Sequence, residues 1–167
     1  GNGNDKGIDI KYLYENMPLG TIGAVSQIKS FKNDYVLIIN SDLLTNIDYE
    51  KFFLDFLNQK ADMSVATIPY IVEIPYAVIE VDDRNINNFK EKPTYTYYSN
   101  GGIYLLKKDV LEHIPIQKSY NTTDLMEKLI QLGKKVISFT LDGYWLDIGK
   151  HEDYEKAQKD IKNINLL

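Results

Sequence analysis

The chain has 167 residues, 44% apolar and 26% charged, which suits one ordinary domain with a packed core and is short for two. A net charge of −5 argues against a binder of nucleic-acid backbones, and the lack of cysteine excludes disulfides, cysteine zinc sites and a thiol nucleophile. The apolar runs are far shorter than the roughly 18 residues that span a bilayer, and no basic-then-apolar leader opens the chain. We therefore expect a cytoplasmic globular domain with neither a membrane nor a nucleic-acid partner.

The first half of the chain predicts alternating strands and helices. Alternating apolar residues predict a strand over residues 8–14, helical spacing follows over residues 21–31, and the run Tyr35–Ile39 is typical of a strand buried on both faces of a parallel sheet. Asp48 is a candidate N-cap for a helix with an apolar stripe, and residues 63–68 predict the next strand. This order indicates βαβ units and a mainly parallel sheet.

The second half predicts a different pattern. Short strands are expected over residues 76–81, 86–91 and 103–106, joined by turns rich in Asp, Asn and Pro. The remaining elements are helices near residues 108–113 and over 124–132, a glycine stop at Gly133, a strand over 136–141 and a helix over 153–162. The whole predicts an α/β fold with a Rossmann-like, mainly parallel mixed sheet, helices on both faces and a small β-ribbon excursion.

Two acidic residues are candidates for a metal site. Asp42 closely follows the strand Tyr35–Ile39, at the edge where open α/β sheets bind ligands. Asp147 lies between apolar neighbours in the segment 144–149. Two carboxylates can share one Mg²⁺ and leave its other positions to water and substrate phosphates. Each acid also fits an ordinary turn, and their separation in sequence leaves open whether they meet.

Other polar segments suggest ligand contacts without fixing them. Glu15 precedes a Pro-Leu-Gly-Thr turn; as an acceptor it suits the N1–H and N2–H of guanine, and it can also accept from the N3–H of uracil or thymine. Glu91-Lys92 and Asn100-Gly101-Gly102 place polar or backbone groups beside short strands, where solvated charges and a glycine bulge are alternative explanations.

The histidines and a tyrosine-rich segment favour structural roles. His113 and His151 have no evident triad partner, so histidine catalysis is not expected. Tyr95, Tyr97 and Tyr98 lack accompanying basic residues, which favours core and edge packing over nucleic-acid stacking.

The order of these segments resembles the sugar-1-phosphate nucleotidyltransferases, also called nucleotide-sugar pyrophosphorylases. The matching segments are residues 15–24, 36–44 with Asn40-Ser41-Asp42, 75–80, 89–93, 100–104 and 144–149. The Pro-Leu-Gly-Thr-x-Gly and Tyr-Trp-Leu-Asp-Ile-Gly motifs are most similar to the mannose-1-phosphate guanylyltransferase-like branch. The resemblance implies that a sugar-1-phosphate oxygen attacks the α-phosphorus of a nucleoside triphosphate, with GTP favoured, and gives a nucleotide-sugar and pyrophosphate.

The resemblance also implies a role for each matching residue. Asp42 and Asp147 would hold Mg²⁺, and Lys92 would neutralise the sugar phosphate. The nucleotide side would be formed by Glu15, Leu19, Gly20 and Thr21. The sugar side would be formed by Tyr76, Ala77, Glu91, Asn100 and Gly102.

The chain departs from the family pattern. It lacks the Gly-rich loop and downstream Lys that cradle the triphosphate, and Ser41 and Ala77 stand where glycine is usual. We therefore expect residues 1–167 to be the C-terminal two-thirds of a catalytic domain, inactive alone. Without the family's first strands, residues 36–39 would have one bare edge, which predicts that this edge pairs with another chain, is filled by domain swapping, or pairs with a missing N-terminal segment.

Two other functions stay open at this stage. A non-catalytic regulatory or sugar-nucleotide-binding module is the main alternative, although retention of both acids argues against it. A glycosyltransferase with an Asp-x-Asp metal motif ranks last, because Asn40 stands in place of the first acid.

Overall fold

The computed structural model describes residues 1–165, in three helices and eight strands joined by short 3₁₀ turns. The strands are β1 (Tyr35–Ile39), β2 (Leu43–Thr45), β3 (Met63–Glu73), β4 (Val78–Asp82), β5 (Asn85–Lys90), β6 (Thr94–Lys107), β7 (Val136–Thr140) and β8 (Trp145–Asp147). The helices are α1 (Tyr49–Asn58), α2 (Thr122–Gln131) and α3 (His151–Asp160), and the 3₁₀ turns are Asn4–Lys6, Gly23–Gln27 and Lys108–His113. None of the helices in residues 1–165 is long and apolar enough to cross a bilayer.

A mixed four-stranded sheet forms the centre of the molecule. Its strand order is β1-β6-β3-β7. β6 is antiparallel to both of its neighbours and β3 is parallel to β7, so β1, β3 and β7 all run in one direction. β2 pairs with β8, and β4 pairs with β5, in two small antiparallel sheets. The predicted α/β class, with a mixed sheet and a β-ribbon, is confirmed.

Helices cover both faces of this sheet, as predicted. On one face Met63 and Leu106 pack with Leu125 and Leu129 of α2. On the other face Phe52 of α1 packs in a separate cluster with sheet residues. α1 begins where the sequence predicts, because the carboxylate of Asp48 accepts a hydrogen bond from the Lys51 N–H at 2.9 Å and satisfies a free donor of the first turn.

Several local predictions are wrong. Residues 8–14 form no strand, because no other strand lies beside them to pair with their backbone groups. The helix expected over residues 21–31 is only the 3₁₀ turn Gly23–Gln27, and residues 108–113 also form 3₁₀ rather than α structure. The short strands β2 and β8 were not predicted at all.

β1 is an edge strand rather than a strand buried on both faces. It pairs only with β6, and alternate side chains are 38–43% exposed at Tyr35, Leu37 and Ile39. Within residues 1–165 no strand lies against its outer side. The expected pairing of this edge with another copy or another segment stays a prediction.

β3 and β6 continue together past the edge of the sheet. Val65 lies opposite Tyr104, and Thr67 lies opposite Asn100. Between these two pairs β3 has one residue and β6 has three, so β6 bulges by two extra residues. Beyond this bulge the pair runs outward to the β4–β5 ribbon, and we call residues 68–99 the arm. Tyr97 and Tyr98 lie in the arm and are about three-fifths exposed, which contradicts the expected core packing for these two tyrosines.

Candidate active site

The end of β1 meets the bulge of β6 at two glycines. The Asn40 N–H donates to the Gly102 carbonyl at 2.9 Å. Gly102 has a φ of +71°, and a Cβ there would lie 2.8 Å from Asn40 Nδ2. A Cβ on Gly101 would lie 2.8 Å from the Ala66 carbonyl oxygen. Glycine is therefore required at both positions for β6 to approach Asn40 and β3 this closely.

β8 brings the second predicted acid to the first. Asp147 lies opposite Leu43 in the β2–β8 pair, and the Ile148 N–H donates to the Asp42 carbonyl at 2.8 Å. Asp42 and Asp147 are therefore neighbours across this two-stranded sheet, although they lie far apart in the sequence. The structure thus brings together the two acids that sequence reasoning singled out.

Both carboxylates are free to take a ligand. Asp42 and Asp147 are exposed, and neither side chain forms a hydrogen bond or an ion pair with any residue in the described part of the chain. No group of three or more His, Asp or Glu side chains in residues 1–165 is arranged to hold a metal ion. Two carboxylates suit a hard cation that keeps water and phosphate oxygens as its other ligands.

Two of the predicted sugar residues lie beside the acids. The Asn100 side chain accepts from the Gly102 N–H at 3.0 Å, which closes the bulge. The indole N–H of Trp145 in β8 donates to the Gly101 carbonyl at 2.9 Å. Asn100 and Gly102 therefore belong to the same group of residues as Asp147.

The other predicted sugar residues form a second group at the base of the ribbon. Lys90 lies opposite Val78, so the segments that flank this pair approach each other, and the Ile74 N–H donates to the Pro93 carbonyl at 3.1 Å. These segments contain Tyr76, Ala77, Glu91 and Lys92. Outer β6 lies between this group and the acids: the six steps from residue 94 to residue 100 make about 20 Å of strand at about 3.3 Å per residue.

The predicted nucleotide residues contact the protein's own backbone. One carboxylate oxygen of Glu15 accepts from the Leu19 N–H at 3.0 Å. The Thr21 hydroxyl accepts from the Thr122 N–H at 2.9 Å, at the start of α2, and the Leu19 side chain is buried. Gly20 has a φ of +75° and approaches the backbone of Tyr120. The segment is therefore fixed against α2, and its nucleotide role stays a prediction.

A cavity of about 520 Å³ lies beside this segment. Amide and apolar side chains line it: Tyr14, Asn16, Met17, Leu19, Gln27, Ile116 and Gln117. Sequence reasoning missed the amides of Asn16, Gln27 and Gln117. Asn16 is next to the predicted Glu15, but nothing in the sequence signals that Gln117 lies near residue 16.

Comparison with known proteins adds to this geometry. Residues 1–164 match the Nucleotidyl transferase family. The chain belongs to this family. It is 34% identical over 160 residues to D-glycero-alpha-D-manno-heptose 1-phosphate guanylyltransferase of Aneurinibacillus thermoaerophilus, covering 94% of this chain and 69% of the relative. It is 30% identical to glucose-1-phosphate adenylyltransferase of Clostridium perfringens, covering 85% of this chain and 40% of that protein.

A solved structure shares the fold. HddC from Yersinia pseudotuberculosis, complexed with GMP-PN, superposes with a TM-score of 0.65 at 27% identity and covers 92% of this chain and 67% of its own. This nucleotidyl transferase chain therefore spans from 40% to 69% of the lengths of these three relatives. Nucleotidyltransferases of this family generally use a divalent metal ion, and the carboxylates of Asp42 and Asp147 are ligands that such an ion accepts.

Proposed function

We propose that this chain takes part in the transfer of a nucleotidyl group from GTP to a sugar-1-phosphate, with release of pyrophosphate. One observation carries the proposal: the backbones of Asp42 and Asp147 are adjacent beyond the end of β1, and neither carboxylate has a hydrogen-bond or ion-pair partner among residues 1–165. The guanylyltransferase relative and the GMP-PN complex of HddC support guanine as the base. Polar residues at the carboxyl end of sheet strands are the usual ligand site of open α/β folds.

The reaction requires positioning and charge neutralisation rather than a covalent catalyst. An oxygen of the sugar phosphate attacks the α-phosphorus of the triphosphate, the new P–O bond forms, and the bond to pyrophosphate breaks. Asp42 and Asp147 would hold Mg²⁺, which, when bound, neutralises the α-phosphate and the sugar phosphate. The chain's own residues bind and orient both substrates around this point.

The remaining roles follow the two residue groups. Lys92 would neutralise the sugar phosphate and Glu91 would accept hydrogen bonds from sugar hydroxyls when the arm bends toward the acids, because about 20 Å of β6 lies between the two groups. Tyr76 and Ala77 flank the sugar, while Asn100 and Gly102 line it beside the acids. On the base side, Glu15, Leu19, Gly20 and Thr21 contact guanine through the Glu15 oxygen that does not bind Leu19 and through backbone groups.

We also propose that residues 1–167 form the C-terminal two-thirds of a catalytic domain. The chain spans 69% of the guanylyltransferase relative, and its sequence contains no Gly-rich loop to cradle a triphosphate. Such a loop would come from another segment of the parent protein. The isolated chain is accordingly expected to release no pyrophosphate.

Pyrophosphate release tests the proposal. The parent protein is offered the four common nucleoside triphosphates with several sugar-1-phosphates, and GTP should give the fastest turnover. Asp42→Asn and Asp147→Asn should each lower turnover at least about 100-fold, because electrostatic groups at a reacting centre contribute at this level. Asp83→Asn, in the β4–β5 turn, is the control and should leave turnover unchanged.

The same assay separates the enzyme from a binding module. Undiminished turnover in both acid variants would contradict the proposed metal site. A parent protein that binds GDP-sugars but releases no pyrophosphate with any substrate pair would support the alternative of a sugar-nucleotide-binding module.

A further inference from the structure

The small sheet that carries Asp147 needs support from outside itself. β8 has three residues and, within residues 1–165, pairs only with the three residues of β2, while neither strand joins the central sheet there. Two-stranded pairs alone are at best marginally stable in water. The position of the Asp147 carboxylate therefore depends on contacts that hold β8 from other elements.

α3 folds back along β8. Only three residues separate the end of β8 from His151, the first residue of α3. The helix then runs about 15 Å, at about 1.5 Å per residue, and its last turn reaches the residue that precedes β8. β8 and α3 thus form a strand–helix hairpin, closed covalently at the Asp147 end.

Three side chains close the other end of this hairpin. The Tyr144 hydroxyl donates to the Asp160 carboxylate, and Lys156 Nζ donates to the same oxygen at 2.6 Å. Lys156 Nζ also lies 5.1 Å from the centre of the Tyr144 ring. We call Tyr144, Lys156 and Asp160 the clamp.

The clamp supplies attachment that the helix otherwise lacks. Ala157 is the only buried residue of α3 among its described positions, so apolar packing holds this helix weakly. Burial, together with the hydrogen bond to Asp160, raises the pKa of Tyr144, so its hydroxyl keeps its proton. The hydrogen bonds from Lys156 and Tyr144 lower the pKa of Asp160, so it stays ionised near neutral pH. The three groups are therefore all in the states that their contacts require.

We propose that Tyr144, Lys156 and Asp160 are positioning residues that fix α3 against β8 and so hold the Asp147 carboxylate beside Asp42. The inference rests on the proposed function, because it assumes that the two acids share a divalent ion. The clamp acts at a distance, since Tyr144 is three residues from Asp147. Without it, α3 is held to β8 mainly through the connection at residues 148–150, and the separation of the two carboxylates broadens.

Mn²⁺ binding tests this proposal without an activity assay. Mn²⁺ stands in for Mg²⁺, and its dissociation constant from the parent protein is measured by electron paramagnetic resonance, with the thermal unfolding midpoint measured in parallel. Tyr144→Phe and Lys156→Met should each raise the dissociation constant about threefold to tenfold, at or below the range for groups that orient metal ligands. Asp160→Asn keeps an oxygen that can accept from the Tyr144 hydroxyl. It should therefore raise the dissociation constant less than the double variant of Tyr144→Phe and Lys156→Met.

Tyr154→Phe is the matched control. Its hydroxyl accepts from Gln158 Nε2 at 2.8 Å on the same helix, and its side chain is about half exposed. It should leave the dissociation constant unchanged. All titrations are run well below the unfolding midpoint, where every variant is folded, so a clamp that serves only fold stability would lower the midpoint and leave Mn²⁺ binding intact.

The outcomes separate the two proposals. Unchanged Mn²⁺ affinity in Tyr144→Phe and Lys156→Met, with affinity lost in Asp147→Asn, would overturn the clamp and leave the proposed metal site standing. Equal affinity in the wild type and Asp147→Asn, or no binding to the wild type, would overturn the metal site and the clamp with it. Should Tyr144→Phe fail to fold, Lys156→Met decides, because it keeps the bond between Tyr144 and Asp160.

Discussion

The central sheet and the arm share the strands β3 and β6 but differ in what covers them. In the sheet, Met63 and Leu106 of these strands are fully buried between helices. In the arm, Tyr70 and Tyr97 are 62% and 59% exposed. The same two strands are thus a core element at one end and a solvated ribbon at the other. Burial depends on the helices packed against a strand rather than on the strand itself.

This difference predicts where substitutions alter the free energy of unfolding. The acids and the bulge lie at the rim of the buried sheet, while Glu91 and Lys92 lie in the exposed arm. Changes in the sheet should alter the free energy of unfolding, and equivalent changes in the arm should not. Three pairs of variants test this contrast, and a fourth tests the junction between sheet and arm.

The largest contrast is expected for two phenylalanines. Phe52 is 1% exposed and its ring centre lies 4.9 Å from that of Phe139, whereas Phe89 of the arm is 64% exposed. Phe52→Ala should lower the free energy of unfolding by about 3–5 kcal/mol through lost burial and a cavity. Phe89→Ala should change it by less than about 0.5 kcal/mol. Urea denaturation followed by circular dichroism measures both, and equal losses would mean that the arm is covered in solution.

The junction between sheet and arm should be sensitive to a single methyl group. Gly102 and Gly133 have φ values of +71° and +70°, but only at Gly102 would a Cβ approach another residue closely. Gly133→Ala should cost about 1 kcal/mol for the left-handed backbone. Gly102→Ala should cost about 2–3 kcal/mol, because Asn40 must also move. Similar urea midpoints for the two variants would show that the bulge yields without cost.

A smaller effect of opposite sign is expected at Ser64. Its hydroxyl is buried in β3 and has no hydrogen-bond partner among the described residues. Ser64→Ala should raise the free energy of unfolding by about 1 kcal/mol, because an unsatisfied buried hydroxyl is removed. Ser99→Ala, in the exposed arm, should have almost no effect. A loss of stability in Ser64→Ala would indicate a partner for the hydroxyl.

The smallest contrast concerns two ion pairs and depends on pH. Burial alone would raise the pKa of Asp62, but hydrogen bonds from Lys107 and the Lys135 N–H outweigh it and lower this pKa. The Asp62 carboxylate therefore stabilises the folded state at pH values above the ordinary carboxyl pKa of about 3.9. This stabilisation is lost as the pH falls through the lower pKa of the folded state. Asp62→Asn should cost less than about 1 kcal/mol at pH 7 and progressively less below pH of about 4.

The matched pair for this measurement lies in the arm. Lys90 Nζ and Glu80 Oε1 are 3.7 Å apart and both side chains are about half exposed, so Glu80→Gln should leave stability unchanged from pH 3 to pH 7. Urea midpoints measured across this pH range compare the two variants. A pH-independent cost of Asp62→Asn would show that its carboxylate is not specifically stabilised.

The sequence predicts those parts of the fold that depend on local pattern. The apolar run Tyr35–Ile39 and the capped helix after Asp48 are recognisable because their signals lie within a few residues. Residues 8–14 alternate like a strand but form none, since a strand also needs a neighbour. β2 and β8 were missed because three-residue strands carry no periodicity and owe their structure to each other.

The candidate site was predictable to a similar extent. Asp42 follows a strand and could be selected on that ground. That Asp42 lies beside Asp147 depends on pairing between two distant segments. The family resemblance implies this proximity, whereas the local sequence pattern does not. The environment of Glu15 and Thr21, whose polar atoms bind Leu19 and Thr122, is also tertiary. No sequence signal reveals such contacts.

The bulge at Gly101–Gly102 has a consequence for the arm as a whole. Side chains along a strand alternate with a period of two, and the bulge inserts two residues into β6. Side chains on the two sides of the bulge therefore follow the same alternation between the two faces of the strand. An insertion of one residue would instead turn every outer side chain of β6 over and exchange the two surfaces of the arm. The even count lets the rim beside Asp42 and Asp147 carry an irregular backbone while the rest of the strand keeps its orientation.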